Sequence, residues 1–393
     1  MAHGGFGPPG SVTTTTAEIA ERIRDAAAHG TRLRVIGRGH WLAANRPVQA
    51  DATLPLDGYS GIVDYVPGDF TLTARAGTTL AEIARAARDQ GQWLALDPLG
   101  SDEGSIGATV ATASHGPHAT GFGTPRDHLL GLEFVTGAGD VVRGGGRVVK
   151  NVAGFDLVRL STGAWGTLGV ITEVTVRLRA LPAEQQTLAL AVDEDAPILE
   201  RLTSGLRGLV TAPLACELLS GVLAARIGLP ERPVLAVHIG GNAESMRAQR
   251  DALAGLEAGA FAPADDALWT RLRAAGAGAA ATWRLSYRPS RFAHTWIEGR
   301  ESIAPFAGAW MHGSPLRGAV RYAVPTDAAE PGSPERLLRA LTQPFDGVRI
   351  GETLPARAWS VLPSRAMDRL SRGVRTAFDP RGILNPGILG ASE

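Results

Sequence analysis

The chain has 393 residues, 44% of them hydrophobic, and its 39 lysines and arginines balance 39 aspartates and glutamates. Zero formal net charge argues against a nucleic-acid partner, which needs a basic surface. The length exceeds one ordinary core and predicts two domains, or one with a large insertion. The single cysteine, Cys216, allows no internal disulfide and no four-cysteine zinc or iron–sulfur site, so any iron–sulfur centre must sit in a partner.

The opening Met1-Ala-His-Gly-Gly-Phe-Gly-Pro-Pro-Gly10 lacks the apolar core of a signal peptide, and no run of 18 apolar residues follows, so a cytoplasmic protein without a transmembrane segment is expected. Thr16 is placed to cap a helix over 17–29, with Gly30 as its stop. A strand over 32–36 runs directly into the turn Gly37-Arg38-Gly39-His40-Trp41. The pattern returns in altered form as a strand over 71–75, a helix over 79–90 closed by Gly91, and a strand over 93–95. Small residues then dominate from Asp97 to Gly123, where 105–113 predicts a short helix with Gly107, Ala108, Ala111 and Thr112 on one side. Strands over 129–135 and 141–143 form a hairpin, and an alternating strand over 170–178 precedes Leu181-Pro182. The region 183–350 has strands near 187–192 and 234–239, alanine-rich helices and no comparable glycine loop. The end, Leu370 to Gly387, reads as a helix stopped at Asp379-Pro380 and two tight turns. The mixture predicts an α+β fold.

Only one of the 39 cations is a lysine, Lys150, and it lies in the motif-like stretch from Arg147 to Arg179. Flanked by Val149 and Asn151, it cannot belong to a Walker phosphate loop. A pyridoxal-phosphate Schiff base would have to form on it, with no other support in the sequence.

Two loops suit one pyrophosphate, which binds to backbone N–H groups brought close by residues without bulky side chains. Gly37 to Trp41 follows a strand. Gly104 to Ala108 precedes a short helix, whose N-terminus adds its dipole. A nicotinamide-type fingerprint is not met, because Leu42 stands where a third glycine is needed.

The order of these loops resembles the FAD-binding domain of vanillyl-alcohol-oxidase-type flavoenzymes, the PCMH fold. More narrowly, the segments 91–98, 125–131, 149–156 and 378–387 together resemble the FAD-binding E subunits of bacterial glycolate oxidase complexes. The resemblance implies a PCMH-type FAD-binding domain of two α/β subdomains over 1–182, a smaller α+β cap over 183–350, and a C-terminal segment 351–393 returning to the FAD domain. By position it implies that Gly37, Arg38, Gly39, His40 and Trp41 form the first pyrophosphate loop, and that Gly104, Ser105, Ile106, Gly107, Ala108 and Ala111 form the second. Pro98 would also contact the cofactor, and the turn Ser114 to Gly116 would pass near the flavin ring; Gly169, Val170 and Ile171 would lie by the adenine and ribose, using backbone groups. Lys150 and Asn151 would approach the isoalloxazine face, where a cation stabilises the reduced, anionic ring. The equal alternative for Lys150 is a pairing with a carboxylate at a domain interface. Two departures stand out: Arg38 interrupts the usual consecutive glycines, and Ala108 stands where Gly-Gly is common.

Other candidates are weaker. His40 raises covalent flavin attachment, although without a gap the usual histidine position falls on Gly39. His115 and His118 are spaced like a metal pair but with no carboxylate nearby in sequence, so no metal site is expected. Asp156 reads as a helix cap. Arg284, Arg288 and Arg321 are each able to hold a substrate carboxylate. The resemblance further implies an oxidoreductase acting on CH–OH donors. Its FAD would carry electrons from the oxidation of glycolate, a 2-hydroxy acid, to glyoxylate, together with a larger catalytic FAD subunit and an iron–sulfur subunit, located in the cytoplasm or peripherally at the inner membrane through that complex. The chain lacks the late Gly-His-x-Gly-Asp-Gly-Asn-x-His segment by which catalytic relatives resemble one another. The alternatives are a stand-alone FAD-dependent alcohol or hydroxy-acid oxidoreductase, and a flavin-free structural subunit.

Overall fold

A computed structural model describes residues 15–146, 155–256, 259–325, 333–365 and 368–390. Its first helix, Thr16–His29, begins with a capping box in which Thr15 and Glu18 satisfy each other's backbone N–H groups. The cap is therefore Thr15, one residue earlier than the sequence suggests, because only Thr15 has Glu18 three positions on. The helix ends at Gly30, whose φ of 67° is the left-handed conformation that glycine adopts without a side-chain clash. Its apolar residues, Ile19, Ala20, Ile23 and Ala26, are buried with Leu33, Leu54 and Leu384.

Two open antiparallel sheets carry the rest of the fold. The first has five strands in the order Ile62–Val66, Thr71–Arg75, Val170–Arg177, Leu129–Val135 and Val141–Gly145. The predicted hairpin around Thr136 to Gly139 is the edge of this sheet. Against it pack the helices Leu80–Arg88, capped by Thr79, and Ile106–Thr112. A separate parallel pair, Leu33–Ile36 with Ala52–Pro55, lies beside it. The C-terminal turn is stitched to this pair: Leu33 N–H donates to Ile383 O, and Asn385 N–H donates to Leu33 O.

The second sheet has eight strands, in the order Ala262–Ala264, Glu184–Ala191, Val234–Gly241, Ala215–Leu219, Trp310–Ser314, Ala319–Val324, Ala281–Ser286 and Val348–Thr353. It is the larger of the two, and its last strand continues past position 350; we propose to place the boundary of this unit after Thr353. Strand periodicity sorts its side chains. Met311, Val320, Tyr322, Trp283 and Leu285 point to one face and join the core under the helices Ala196–Arg207 and Phe292–Ile303. The alternate residues, among them Glu217, His312, Arg321 and Arg284, belong to the opposite face.

Candidate functional site

The strand Leu33–Ile36 opens into a cavity of about 450 Å³. Gly37 to Trp41 forms one wall, and the backbone amides of Arg38, Gly39, His40 and Trp41 donate to no acceptor among the described residues. Such a run of free N–H groups is an anion-binding concavity. Arg38 and His40 are exposed at the rim. The second wall is the helix Ile106–Thr112, and here glycine serves a different purpose from the one expected. A β-carbon on Gly107 would stand 2.5 Å from the Ala76 β-carbon, and one on Gly37 would stand 2.5 Å from Ser105 Oγ. These glycines let the loops approach each other and the first sheet.

Fourteen of the expected cofactor residues line the cavity: Gly37, Arg38, Gly39, His40, Trp41, Pro98, Gly104, Ser105, Gly107, Ala108, Ala111, Ser114, Gly169 and Ile171. Three do not. Ile106 and Val170 are fully buried with their side chains in the cores beneath, and Gly116 packs on Asp97, where a β-carbon would meet its carbonyl at 2.3 Å. The second loop also offers fewer donors than expected, since Ile106 N–H is bonded to Thr78 O and Gly107 N–H to Ala76 O. The helix is only seven residues long, so little dipole is added. Lys150 and Asn151 lie outside the described residues. Asp156 caps the helix Leu157–Ser161, accepting from Arg159 N–H at 2.9 Å.

The cavity also has contributors that sequence reasoning passed over. Asn385 holds the site together: its Oδ1 accepts from Val35 N–H at 2.8 Å and its Nδ2 donates to Trp165 O at 2.7 Å, while Trp165 packs 5.8 Å from Trp41. The second half supplies a small-residue loop after all, Gly276 to Ala279, together with Arg273, which donates to Pro98 O and Asp102 at 2.7 Å. Thr282, His312, Glu352 and Thr353 complete that side, together with Arg321, one of the three arginines singled out from the sequence. The alternating Thr282-Trp-Arg284-Leu-Ser286 strand carried a signal for this face: polar residues in step with the buried apolar ones.

Three of these residues stand in one row. Antiparallel register places His312 opposite Arg321, and Arg321 opposite Arg284. All three are charged or titratable and enclosed, which requires partners. Arg321 finds one in Glu352: its Nε and Nη2 each donate at 2.8 Å to a different carboxylate oxygen, and the pair is 8% and 7% exposed. Burial opposes both charges, but the mutual attraction prevails, holding the Arg321 pKa up and the Glu352 pKa down. His312 Nδ1 lies 2.8 Å from Glu217 Oε2. Arg284 has no carboxylate. Its Nη1 donates at 2.8 Å to His115 Nε2, and His115 Nδ1 donates to Ala113 O. Burial and the nearby charges of Arg284, Arg317 and Arg321 push the His115 pKa down to about 3, so the ring is neutral and able to accept.

His115 and His118 therefore face different ways. His118 Nδ1 is 3.1 Å from Asp97, a carboxylate the sequence did not place beside it, and its Nε2 is 3.3 Å from His238 Nδ1 in the second sheet. Among the described residues, no group of three or more His, Cys, Asp or Glu is arranged to hold a metal, and no helix is long and apolar enough to cross a membrane.

The loops and the cavity have the architecture of the PCMH-type fold. The group that the cavity holds is tested by two features: buried Ser105 Oγ has no hydrogen-bond partner, and Arg38 to Trp41, whose amides have no acceptor among the described residues, line the same cavity as Ser105. Both fit a pyrophosphate-bearing cofactor. Residues 12–145 match the FAD binding domain family, so the chain carries a domain of that kind, with FAD as its cofactor. Glycolate oxidase subunit GlcE of Escherichia coli is 38% identical over 173 residues, 44% of this chain and 49% of that protein, so the match spans about half of that relative. Glycolate oxidase subunit GlcD of Bacillus subtilis is 25% identical over 418 aligned positions, covering 96% of this chain and 88% of that protein. In structure the chain is similar to p-cresol methylhydroxylase, with a TM-score of 0.75 at 16% identity over 97% of this chain and 88% of that one.

Proposed function

We propose that this chain is the FAD-carrying subunit of a hydroxy-acid oxidase assembly of the glycolate oxidase type, moving electrons taken from glycolate or a similar 2-hydroxy acid. The observation that carries the reading is the cavity itself, lined by Arg38 to Trp41, whose amides have no acceptor among the described residues, and by Ser105 with its unpartnered hydroxyl. Gly104, Ala108 and Ala111 leave that wall uncrowded for the pyrophosphate, and Gly37 and Gly107 let the two loops pack closely enough to form it. Gly169 and Ile171 lie at the nucleoside end, and Pro98 and Ser114 toward the ring; Lys150 and Asn151 tune the flavin. Bound FAD would supply a two-electron acceptor at this cavity. The glycolate oxidase relatives support the substrate class.

A second reading, a self-sufficient oxidoreductase, is favoured by one observation: charged side chains of the second sheet line the same cavity. Purifying the full chain, recording its visible spectrum and adding glycolate without oxygen separates these readings. Bound flavin that stays oxidised until the partner subunits are added supports the relay. Bleaching by glycolate alone supports the self-sufficient enzyme, and the absence of flavin overturns both.

A further inference from the structure

A second cavity of about 210 Å³ adjoins the first, and Trp41, Ser114, Trp165, Arg321 and Glu352 line both. Its remaining lining adds Arg126, Arg284 and Arg365. Among the described residues of that lining, Glu352 is the only carboxylate, and it is taken by Arg321.

Arg284 and Arg321 are directly opposed on neighbouring strands, a like-charge arrangement that is unfavourable without a counter-charge. Arg284 makes no ion pair among the described residues. The charges of Arg321, Arg317 and Arg365 act on it together with its burial, and its pKa falls to about 10, against the pull of Glu352. It remains protonated at neutral pH and wants an anion.

The free atoms say which kind. His115 occupies Nη1, while Arg284 Nε is buried with no partner and Nη2 has none among the described residues. The Nε and Nη2 pair is the edge with which a guanidinium grips a carboxylate through two parallel bonds. The neighbouring arginine demonstrates it, since Arg321 holds Glu352 by the same two atoms.

We propose that the second cavity is an anion site for a small carboxylate, with Arg284 as its anchor and His115 as the residue that positions the anchor. This rests on reading the adjoining cavity as the flavin site, which sets the bound anion beside the cofactor. The neutral imidazole fixes the guanidinium without cancelling its charge. A carboxylate at His115 would have neutralised Arg284 and closed the site, as Glu352 does for Arg321. The site lies among this chain's own residues and gives the subunit a ligand independent of any partner.

The test is a titration of the purified full-length protein with oxalate, followed by calorimetry and by the difference spectrum of bound flavin. Saturable binding is expected for the wild type. Arg284→Gln is expected to weaken it about tenfold or more, the range for losing hydrogen bonds to a charged group. His115→Leu is expected to weaken it as well, and His115→Gln, which keeps an acceptor, to restore most of the affinity. Arg288→Gln, on the exposed chain beyond the strand, is the control and should bind as the wild type does. Flavin content and melting temperature are measured for each variant. Oxalate that binds Arg284→Gln as well as wild type, or fails to bind a flavin-loaded wild type, overturns the proposal. A chain without flavin overturns the reading of the first cavity, and the calorimetric comparison still decides the anchor.

Discussion

The two sides of the main cavity are built on opposite principles. On the side of the first sheet, small residues bring backbone close and leave N–H groups exposed; on the side of the second sheet, long charged side chains are held in register by strands. The first kind of surface suits a large, invariant group such as a pyrophosphate, bound by backbone. The second suits a small ligand chosen by charge. The difference teaches where sequence change is tolerated: the first side fails by filling space, and the second by unbalancing charge.

Removing a charge should have the larger effect. Glu352→Gln leaves Arg321 buried without its carboxylate and opposite Arg284, and breaking a buried pair in this way costs about 3–5 kcal/mol. Chemical denaturation should report that loss, and a variant as stable as wild type would show that the row is solvated. Filling space comes next. Gly107→Val drives a side chain against Ala76, where the β-carbon alone would be 2.5 Å from a neighbour. Overpacking of this kind costs about 1–3 kcal/mol. The expected readouts are a lowered melting temperature and loss of bound flavin, with no matching effect from Gly373→Val, where space is open.

Asn385→Ala breaks the stitch between Val35 and Trp165 in a residue with φ of 45°. A loss of about 1–3 kcal/mol is expected, as for buried partners left unsatisfied, together with weaker flavin retention measured by ultrafiltration.

The smallest effect per step is that of acid. Burial pushes the pKa of His115 down to about 3, and those of His128 and His238 to about 4. In the unfolded chain these rings titrate near 6.5, so between that pH and about 4 the unfolded state binds more protons. Stability should therefore be full above pH 6.5 and fall as pH drops through that window, by at most about 1.4 kcal/mol per unit for each ring. Unfolding curves at pH 7, 6 and 5 measure it. His115→Gln should flatten the slope, and an unchanged slope would mean that this ring is solvated.

Much of the fold was legible because its causes are local. The capping residues, Gly30, the alternating strand 170–178 and the small face of the helix after Ser105 each express a short-range preference. What was not legible shares one origin, contact with something distant in sequence. The side chains of Ile106 and Val170 follow loop residues but turn into the core. Gly116 is small because Asp97 lies beside it, and Asp97 is the carboxylate missing from the sequence view of His118. Asn385 was visible only as part of a turn, since nothing local says that it reaches Val35 and Trp165. His312 looked solitary because Glu217 stands on the neighbouring strand.

By itself the sequence determined the small-residue side of the cavity, because a backbone-lined wall is written in contiguous small residues that follow a strand. Only the tertiary structure decided the other side. Arg284, Arg321 and His312 acquire meaning from antiparallel register, which sets three separate strands in one row, gives one arginine a carboxylate and leaves the other with a neutral histidine and two unpartnered nitrogens.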